Sequence, residues 1–340
     1  MRAVVFNEFG GVPVVTDVPE PSPPTGGVVL RVEATGLCRS DWHGWRGHDP
    51  GIVLPHVPGH ELAGTVAEVG SGVRGWAVGD RVTVPFVCAC GDCRECRAGD
   101  HQVCPNQQQP GFTYWGSFAE YVAVPYAEVN LVRLPDEIGF TAAASLGCRF
   151  ATAYRGVARV GAALPGEWLV VFGCGGVGLS AVMIGNALGA RVVTVDVSES
   201  ALAAAAGFGA EHTVPAGAAA VGRLRELTDG GPQVTVDAIG AVDVVQQALS
   251  VLRPRGRHVQ LGLLPGAVTL EVSALIAREL RWVGSHGLAA HDYPALLELV
   301  RSGAVRPDAL VGREIGLADA SAALVELDRG RPTGMTVIRP

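Results

Sequence analysis

The stretch Trp168-Leu-Val-Val-Phe-Gly-Cys-Gly-Gly-Val-Gly178 decides the fold of the second half of the chain. An apolar run typical of a buried strand leads into a glycine-rich turn, and a helix is predicted near 176–189. The pattern G-x-G-x-x-G, formed by Gly173, Gly175 and Gly178, allows a pyrophosphate to approach the N-terminus of that helix. We therefore expect this turn, with Gly176 and Val177, to bind a dinucleotide. Glycines that only permit close helix–strand packing are the alternative.

An acidic residue at the end of the next predicted strand indicates which dinucleotide is bound. Asp196 follows the strand Arg191–Val195 and lies eighteen residues after Gly178. A carboxylate at this point can accept hydrogen bonds from the adenosine ribose and would repel a 2′-phosphate. Val197 comes next, so no arginine stands there to favour NADP. The sequence therefore predicts NAD as the cofactor.

The order of the predicted elements divides the chain into three parts. Before about residue 148, short strands alternate with glycine and proline; after about 165, strands alternate with helices near 199–207 and 242–252. Alternation of strands and helices predicts a parallel sheet with helices on both faces. We predict a β-rich domain over 1–149, a dinucleotide-binding domain over 150–285 and a C-terminal segment over 286–340. That segment has a predicted helix, Tyr293–Val300, and a strand near Met335–Ile338.

Four of the eight cysteines, Cys90, Cys93, Cys96 and Cys104, lie within fifteen residues. The spacing C-x2-C-x2-C-x7-C lets four thiolates surround one ion, and a closed tetrahedral shell predicts a structural zinc in a lobe over about 88–105. Two alternatives stay open. Disulfides need an oxidising compartment, and ferredoxin-type iron–sulfur runs have three residues, not seven, before the last cysteine.

The composition excludes several classes of function. The net charge of the 340 residues is −7 without a long block of like charge, which argues against nucleic acid or a membrane surface as a partner. All 26 basic residues are arginine, so lysine nucleophiles and Schiff bases are excluded.

The N-terminus has no basic region followed by a long apolar stretch, so we expect a reducing, cytoplasmic location. The uncharged stretch 168–190 is long enough to span a bilayer, but its central glycines favour a strand, a turn and a buried helix.

Three isolated positions carry further zinc-binding side chains. Cys38 lies in Gly-Leu-Cys-Arg-Ser-Asp-Trp-His, His60 in Pro-Gly-His-Glu, and Cys148 in Leu-Gly-Cys-Arg-Phe-Ala-Thr. Two thiolates and one imidazole can hold zinc and leave a fourth position open for water or substrate. Spacing does not show that three distant residues converge, and each residue taken separately also fits a buried structural role.

Together, these motifs resemble the zinc-dependent alcohol dehydrogenases of the medium-chain dehydrogenase/reductase superfamily. Cys-Arg-Ser-Asp with a histidine two residues later, Gly-His-Glu, the four-cysteine lobe, the glycine-rich turn and the aspartate occur in the order typical of that family. The resemblance covers essentially the whole chain. It implies an α/β protein in which a β-rich, GroES-like catalytic domain, completed by the C-terminal segment, is joined to a Rossmann domain with a doubly wound parallel sheet.

The resemblance also implies roles at a catalytic zinc. Cys38, His60 and Cys148 would be the ligands, Glu61 would lie near the metal and ligate it transiently, and Asp41 would fix the ring of His60. With the lobe, the family implies two zinc ions per chain.

For the cofactor, the family implies that Arg39 meets the pyrophosphate and Thr152 touches the nicotinamide. The backbone of Leu261, Gly262 and Leu263 would bind the carboxamide. The resemblance also implies a homo-oligomer, with a tetramer favoured over a dimer.

The implied reaction is hydride transfer between an alcohol and NAD+, with reduction of an aldehyde or ketone in reverse. Zinc lowers the pKa of bound water from about 15.7 to about 7, and an alcohol oxygen responds similarly. The resemblance implies that the proton leaves through Ser40 and the nicotinamide ribose to His43, whose imidazole suits release near neutral pH. A plain surface histidine is the alternative for His43. The substrate would be a small alcohol or carbonyl compound, and Phe86 and Trp115 are candidates for the wall of its pocket.

Two other functions stay open. A reductase of activated C=C or C=N bonds would keep hydride delivery on the same scaffold, and the zinc-ligand set argues only against zinc-free quinone reductases. A non-catalytic NAD-binding protein is disfavoured by the intact run from Cys38 to Asp41 and by His43.

Overall fold

A computed structural model of the chain describes residues 1–330 and 334–340. The strands, in chain order, are β1 (Arg2–Val5), β2 (Val14–Asp17), β3 (Val28–Leu37), β4 (Glu61–Val69), β5 (Arg81–Thr83), β6 (Tyr121–Val124), β7 (Val132–Arg133), β8 (Trp168–Phe172), β9 (Arg191–Asp196), β10 (His212–Pro215), β11 (Val234–Asp237), β12 (Arg257–Gln260), β13 (Arg281–Gly284), β14 (Val311–Gly316) and β15 (Met335–Arg339). The α-helices are α1 (Arg39–Trp45), α2 (Arg94–Arg97), α3 (Ala127–Asn130), α4 (Phe140–Ala144), α5 (Arg149–Tyr154), α6 (Gly176–Ala187), α7 (Glu199–Gly207), α8 (Ala220–Leu227), α9 (Val242–Val251), α10 (Val272–Ala277), α11 (Tyr293–Arg301) and α12 (Leu317–Glu326).

Internal contacts divide the chain into two compact units. The first comprises Met1–Ala151, Gly287–Arg301 and Arg306–Pro340, and the second comprises Thr152–His286 and Ser302–Val305. We keep the predicted domain boundaries, after residue 149 and after residue 285, as a proposal that is separate from this division into units.

The second unit is built on a six-stranded parallel sheet with the order β10-β9-β8-β11-β12-β13. All five residues of β8 are buried, as expected for a central strand of a parallel sheet. The strand order reverses between β8 and β11, which is the Rossmann arrangement, and ligands bind at the carboxyl ends of strands at such a point. The predicted Rossmann sheet and the predicted helices that correspond to α6, α7 and α9 are confirmed.

The first unit contains a seven-stranded sheet with the path β14-β15-β3-β4-β5-β7, and β6 also pairs with β3. The last strand, β15, pairs antiparallel with β3, with Thr336 opposite Leu37. Residues from the C-terminal part of the chain thus complete the sheet that carries the N-terminal motifs. The β-rich architecture predicted for this part is confirmed.

None of the helices in residues 1–330 and 334–340 has both the length and the apolar character needed to cross a bilayer. The uncharged stretch 168–190 consists mainly of β8, the glycine turn and α6, as its glycines predict.

Candidate metal centres and cofactor site

Strand register brings two of the predicted zinc ligands together. In the antiparallel pair of β3 and β4, Gly36 lies opposite Glu61. Cys38 comes just after the end of β3 and His60 just before the start of β4, so the two side chains emerge at the same end of the pair. Gly147, next to Cys148, packs against β4: a Cβ atom there would lie 3.5 Å from the carbonyl oxygen of His60.

The four side chains form a compact group of ligands. One ligand atom from each of Cys38, His60, Glu61 and Cys148 lies within 4.8 Å of the others. The Nε2 atom of His60 is buried and has no hydrogen-bond partner of normal geometry among the described residues. An unpaired buried nitrogen that faces two sulfur atoms is costly unless a metal binds it. The group therefore fits zinc, which prefers sulfur and imidazole ligands.

Asp41 fixes the positions of Cys38 and His60 through hydrogen bonds. One carboxylate oxygen accepts a hydrogen bond from the backbone N–H of Cys38 at 2.8 Å. The other pairs with Nδ1 of His60 at 2.8 Å and accepts from the backbone N–H of Gly59 at 3.1 Å. The bond to Nδ1 directs Nε2 of His60 towards the ligand group, as a carboxylate does for histidine at many metal sites.

Arg149 is an important residue that the sequence did not assign. Its guanidinium donates to both carboxylate oxygens of Glu61, with the shortest contact at 2.6 Å, and also donates to the carbonyl of Leu37 at 3.0 Å. Both charged side chains are almost fully buried. The pair places the permanent positive charge of Arg149 next to the group of ligands.

Burial and the hydrogen bonds between the ligand side chains shift the pKa values of these side chains. The hydrogen bond from Cys148 holds the pKa of Cys38 well below its usual range, and the same bond raises the pKa of Cys148. Burial opposes a charge on His60, but Asp41 and Cys38 outweigh it and hold the pKa of His60 well above its usual value. Metal binding must displace these protons, so its affinity rises with pH.

Aromatic rings surround His60. Phe86 lies edge-on to the imidazole at 6.3 Å between ring centroids, and Phe112, which the sequence did not indicate, lies at 5.2 Å. Trp115 is 37% exposed, and its Nε1 donates to the carbonyl of Pro55 at 3.0 Å. Phe86 is thus placed beside the ligand group, and Trp115 is placed at the surface.

The other predicted residues of the Cys-Arg-Ser-Asp run lie on α1. Ser40 Oγ is 3.8 Å from the sulfur of Cys38. His43 is exposed and packs against Trp42, with 4.8 Å between ring centroids. Arg39 lies over the ring of Trp42 and donates to the carbonyl of Leu327 at 2.7 Å.

The four-cysteine lobe has the geometry of a single-ion site. Its four sulfur atoms lie within 4.8 Å of one another, and the sulfur of Cys104 is 3.5 Å from that of Cys90 and 3.8 Å from that of Cys93. A tetrahedral zinc with metal–sulfur distances of about 2.3 Å places its sulfur atoms about 3.8 Å apart. Disulfide sulfur atoms are only about 2.0 Å apart, and all eight cysteines are free thiols. The separations of the sulfur atoms therefore fit a zinc ion better than disulfide bonds.

Backbone N–H groups also favour thiolates in the lobe. The N–H groups of Asp92 and Cys93 lower the pKa of Cys90 to about 6, whereas burial raises the pKa of Cys96 to about 12. The N–H of Cys96 donates to the sulfur of Cys93 at 3.4 Å. Such bonds orient the sulfur atoms and stabilise their charge around an ion.

In the second unit, the glycine turn lies at the carboxyl end of β8. Gly173 has a φ of +94°, and a Cβ atom on Gly178 would lie 1.7 Å from the carbonyl oxygen of Gly173. Only glycine permits this close approach. Gly175 is the N-cap of α6 and provides no side-chain cap, so the first N–H groups of the helix, at Gly176 and Val177, are available to an anion.

Two aspartates fix the loops around this turn. Asp196 accepts hydrogen bonds from the N–H of Cys174 at 2.7 Å and of Ser198 at 2.9 Å, so its carboxylate is held beside the glycine turn. Asp237, which the sequence did not single out, is fully buried at the end of β11. Its carboxylate accepts from the N–H groups of Ile239 and Gly240 at 2.7 and 2.9 Å.

The loop predicted to bind the carboxamide is also tied to Asp237. The N–H groups of Leu261 and Gly262 donate to the carbonyl of Asp237 at 3.0 and 2.9 Å. Leu263 is 87% exposed. Thr152 lies on α5, four residues after Cys148, and is almost fully buried.

Comparison with known proteins identifies the family. The family model described as "Alcohol dehydrogenase GroES-like domain" matches residues 24–136, and "Zinc-binding dehydrogenase" matches residues 176–302. An "Alcohol dehydrogenase" of Rhizobium meliloti is 37% identical over 311 residues, which cover 90% of this chain and 89% of the relative. An "NAD-dependent alcohol dehydrogenase" of Sulfurisphaera tokodaii is 32% identical over 352 residues and covers 100% of both chains.

A solved structure shows the same fold throughout. "Alcohol dehydrogenase TADH from Thermus sp. ATN1" has a TM-score of 0.91 at 32% identity, and the match covers 100% of this chain and 99% of that chain. The chain therefore belongs to the zinc-dependent alcohol dehydrogenase family of the medium-chain dehydrogenases/reductases. The predicted family and fold class are confirmed.

Proposed function

We propose that this protein is an NAD-dependent zinc alcohol dehydrogenase, which transfers a hydride between an alcohol and NAD+ and reduces an aldehyde or ketone in reverse. The observation that carries the proposal is the convergence of Cys38, His60 and Cys148, with the buried, unpaired Nε2 of His60 among the ligand atoms. Relatives named alcohol dehydrogenase, two of them over the full length of this chain and named NAD-dependent, support the same reaction.

Each residue has a defined task in this proposal. Cys38, His60 and Cys148 hold a catalytic zinc, which supplies Lewis-acid chemistry to the substrate oxygen. Asp41 keeps the ring of His60 in place through the 2.8 Å bond to Nδ1. Ser40 Oγ stands next to the ligand group, where it can accept the proton of the substrate hydroxyl.

The remaining tasks concern proton release and cofactor binding. His43, exposed at the surface of α1, receives the proton at its imidazole and passes it on towards water. Arg39, Thr152, Asp196, the glycine turn and the loop Leu261–Leu263 are assigned to NAD, and Phe86 and Trp115 to the substrate pocket. Glu61 is held by Arg149, and its transient ligation of the metal stands as a proposal.

The decisive test of the function combines metal analysis with an activity screen. NADH oxidation would be followed with aldehydes, ketones, enones and imines, and NAD+ reduction with alcohols. Turnover with alcohols and simple carbonyls is expected. Turnover confined to enones or imines would instead assign the reductase function, and the absence of turnover with every compound would assign a non-catalytic role.

We also propose two zinc ions per chain, with the second ion in the four-cysteine lobe. Replacing Cys93 by serine should remove about one zinc per chain and lower the melting temperature by about 10 °C, because binding of a structural metal contributes folding free energy. Emission spectrometry and calorimetry would measure both effects. Two zinc ions and an unchanged melting temperature in the C93S variant would contradict a structural metal in the lobe.

We propose a homo-oligomer, which an exposed sheet edge supports; the preference for a tetramer over a dimer rests on the family resemblance. All four residues of the edge strand β13 are exposed, including Trp282 and Val283, and no residue of the neighbouring helix α10 is buried. Unpaired apolar edge strands favour pairing with another chain. Val283→Lys should shift the mass measured by light scattering to a smaller species; an unchanged mass would place the interface elsewhere.

The free cysteines support the proposed cytoplasmic location.

A further inference from the structure

A second histidine lies against the one assigned to proton release. The Nδ1 atoms of His43 and His48 are 2.9 Å apart, and the two ring centroids are 5.2 Å apart. The backbone N–H of His48 donates to the carbonyl of His43 at 3.0 Å, so the turn after α1 fixes the distance between them. Both residues are exposed. Sequence analysis assigned no role to His48.

This geometry restricts the protonation states of the pair. Two Nδ1 atoms at 2.9 Å share one hydrogen, which belongs to either ring, and they exclude a hydrogen on both atoms at once. The Nε2 atom of each ring points away from the shared hydrogen. The pair can therefore take up a proton at one outer nitrogen and release a proton from the other.

The neighbouring groups disfavour a charge that stays on His43. Partial burial of the ring lowers the pKa of His43, and the charges of Arg39 and the neighbouring His48 lower it further, whereas the charge of Cys38 raises it. Trp42 packs between Arg39 and both histidines, at 5.6 Å from the ring of His48.

Two further charged groups, Asp328 and Arg46, lie near the indole nitrogen of Trp42, and the carboxylate of Asp49, next to His48 in the sequence, accepts from the N–H of Gly51 at 2.8 Å. Nε1 of Trp42 donates to a carboxylate oxygen of Asp328 at 2.6 Å, and the same oxygen lies 3.8 Å from Arg46. The hydrogen-bond partner of the His43 ring among the described residues is the imidazole of His48.

We propose that His48 is the outlet of the proton pathway: it takes the proton from Nδ1 of His43 and delivers one to water from its own Nε2. This inference rests on the proposed alcohol dehydrogenase function, since oxidation of an alcohol to a carbonyl with NAD+ releases one proton per turnover.

The transfer is balanced at each step. His43 begins neutral, with its Nδ1–H donated to His48, and accepts the incoming proton at Nε2. Its Nδ1–H bond then breaks as an N–H bond forms at Nδ1 of His48, and His48 loses its Nε2 proton to water. One proton has left, both rings are neutral, and the shared hydrogen now belongs to His48. Before the next turnover, water protonates Nε2 of His48, the shared hydrogen returns to Nδ1 of His43, and His43 loses its Nε2 proton to water, which restores both starting tautomers with no net change in protons. Carbonyl reduction follows the same steps in reverse.

The first test uses the metal-containing protein without cofactor or substrate. Asparagine at position 48 keeps a hydrogen-bonding atom near the place of Nδ1 but does not titrate. The Hε1 resonance of His43 should titrate in two coupled steps in the wild type and in one step in His48→Asn, with a midpoint that differs by at least about 0.5 pH unit. A single step with the same midpoint in both proteins would overturn the proposal.

The second test is kinetic. Alcohol oxidation by H48N should fall about tenfold at pH 6.5 and less than twofold at pH 9, where the solvent accepts protons directly from His43. Added imidazole should restore activity to His48→Ala. The matched control is His212→Asn, on the surface of the second unit, which should behave as wild type. An unchanged pH profile in H48N would overturn the proposal.

A wild type that oxidises no alcohol would instead refute the proposed function. The titration of the His43 resonance would still decide whether the two rings exchange a proton.

Discussion

Replacing Cys148 by alanine is expected to lower kcat for alcohol oxidation by at least about 1,000-fold. The change removes one of the two thiolates of the proposed catalytic zinc, and a Lewis acid of this kind contributes several kcal/mol to stabilisation of the transition state. The cofactor residues of the glycine turn lie in the other unit, so NADH affinity should change less than twofold.

Three measurements check this expectation. Absorbance of NADH gives kcat, fluorescence titration gives the NADH affinity, and metal analysis should show the loss of about one zinc per chain. Cys88→Ala is the matched control, because Cys88 is a buried cysteine that belongs to neither ligand group. It should retain both zinc ions and activity. A C148A variant with wild-type turnover would remove Cys148 from the metal site.

The second large effect concerns the buried ion pair. Arg149→Met should lower the free energy of unfolding by about 3–5 kcal/mol, because it leaves the buried carboxylate of Glu61 without its partner. The double variant Glu61→Leu/Arg149→Met removes both charges and should return to within about 1 kcal/mol of the wild type.

Denaturant unfolding of the zinc-loaded proteins measures both variants. Recovery in the double variant separates an uncompensated charge from a simple loss of packing, since a packing defect would grow when the second side chain is also replaced. Equal instability of the single and double variants would show that the pair does not act as a unit.

Residue types and spacing predicted the chemistry of the metal site but not its geometry. Cys38 and His60 converge because the antiparallel register sets Gly36 opposite Glu61, and register depends on pairing between strands distant in the sequence. The four-cysteine lobe was more predictable, since all of its ligands lie within fifteen residues.

The residues that sequence analysis missed have a common cause. Arg149 and Asp237 are charged and yet buried, whereas charged side chains are rarely buried. Nothing in the local sequence indicates that Glu61 forms an ion pair with Arg149, or that the backbone of two loops donates hydrogen bonds to Asp237. The strand β13 was missed for the opposite reason: all its residues are exposed, so no pattern of buried and exposed positions marks it.

The pairing of β15 with β3 affects when the metal site can form during protein synthesis. Thr336 lies beside Leu37, the neighbour of Cys38, so the strand leading to the metal site gains this partner only when residues 335–339 have left the ribosome. Metallation of the site formed by Cys38, His60 and Cys148 is therefore expected to follow the synthesis of residues 335–339.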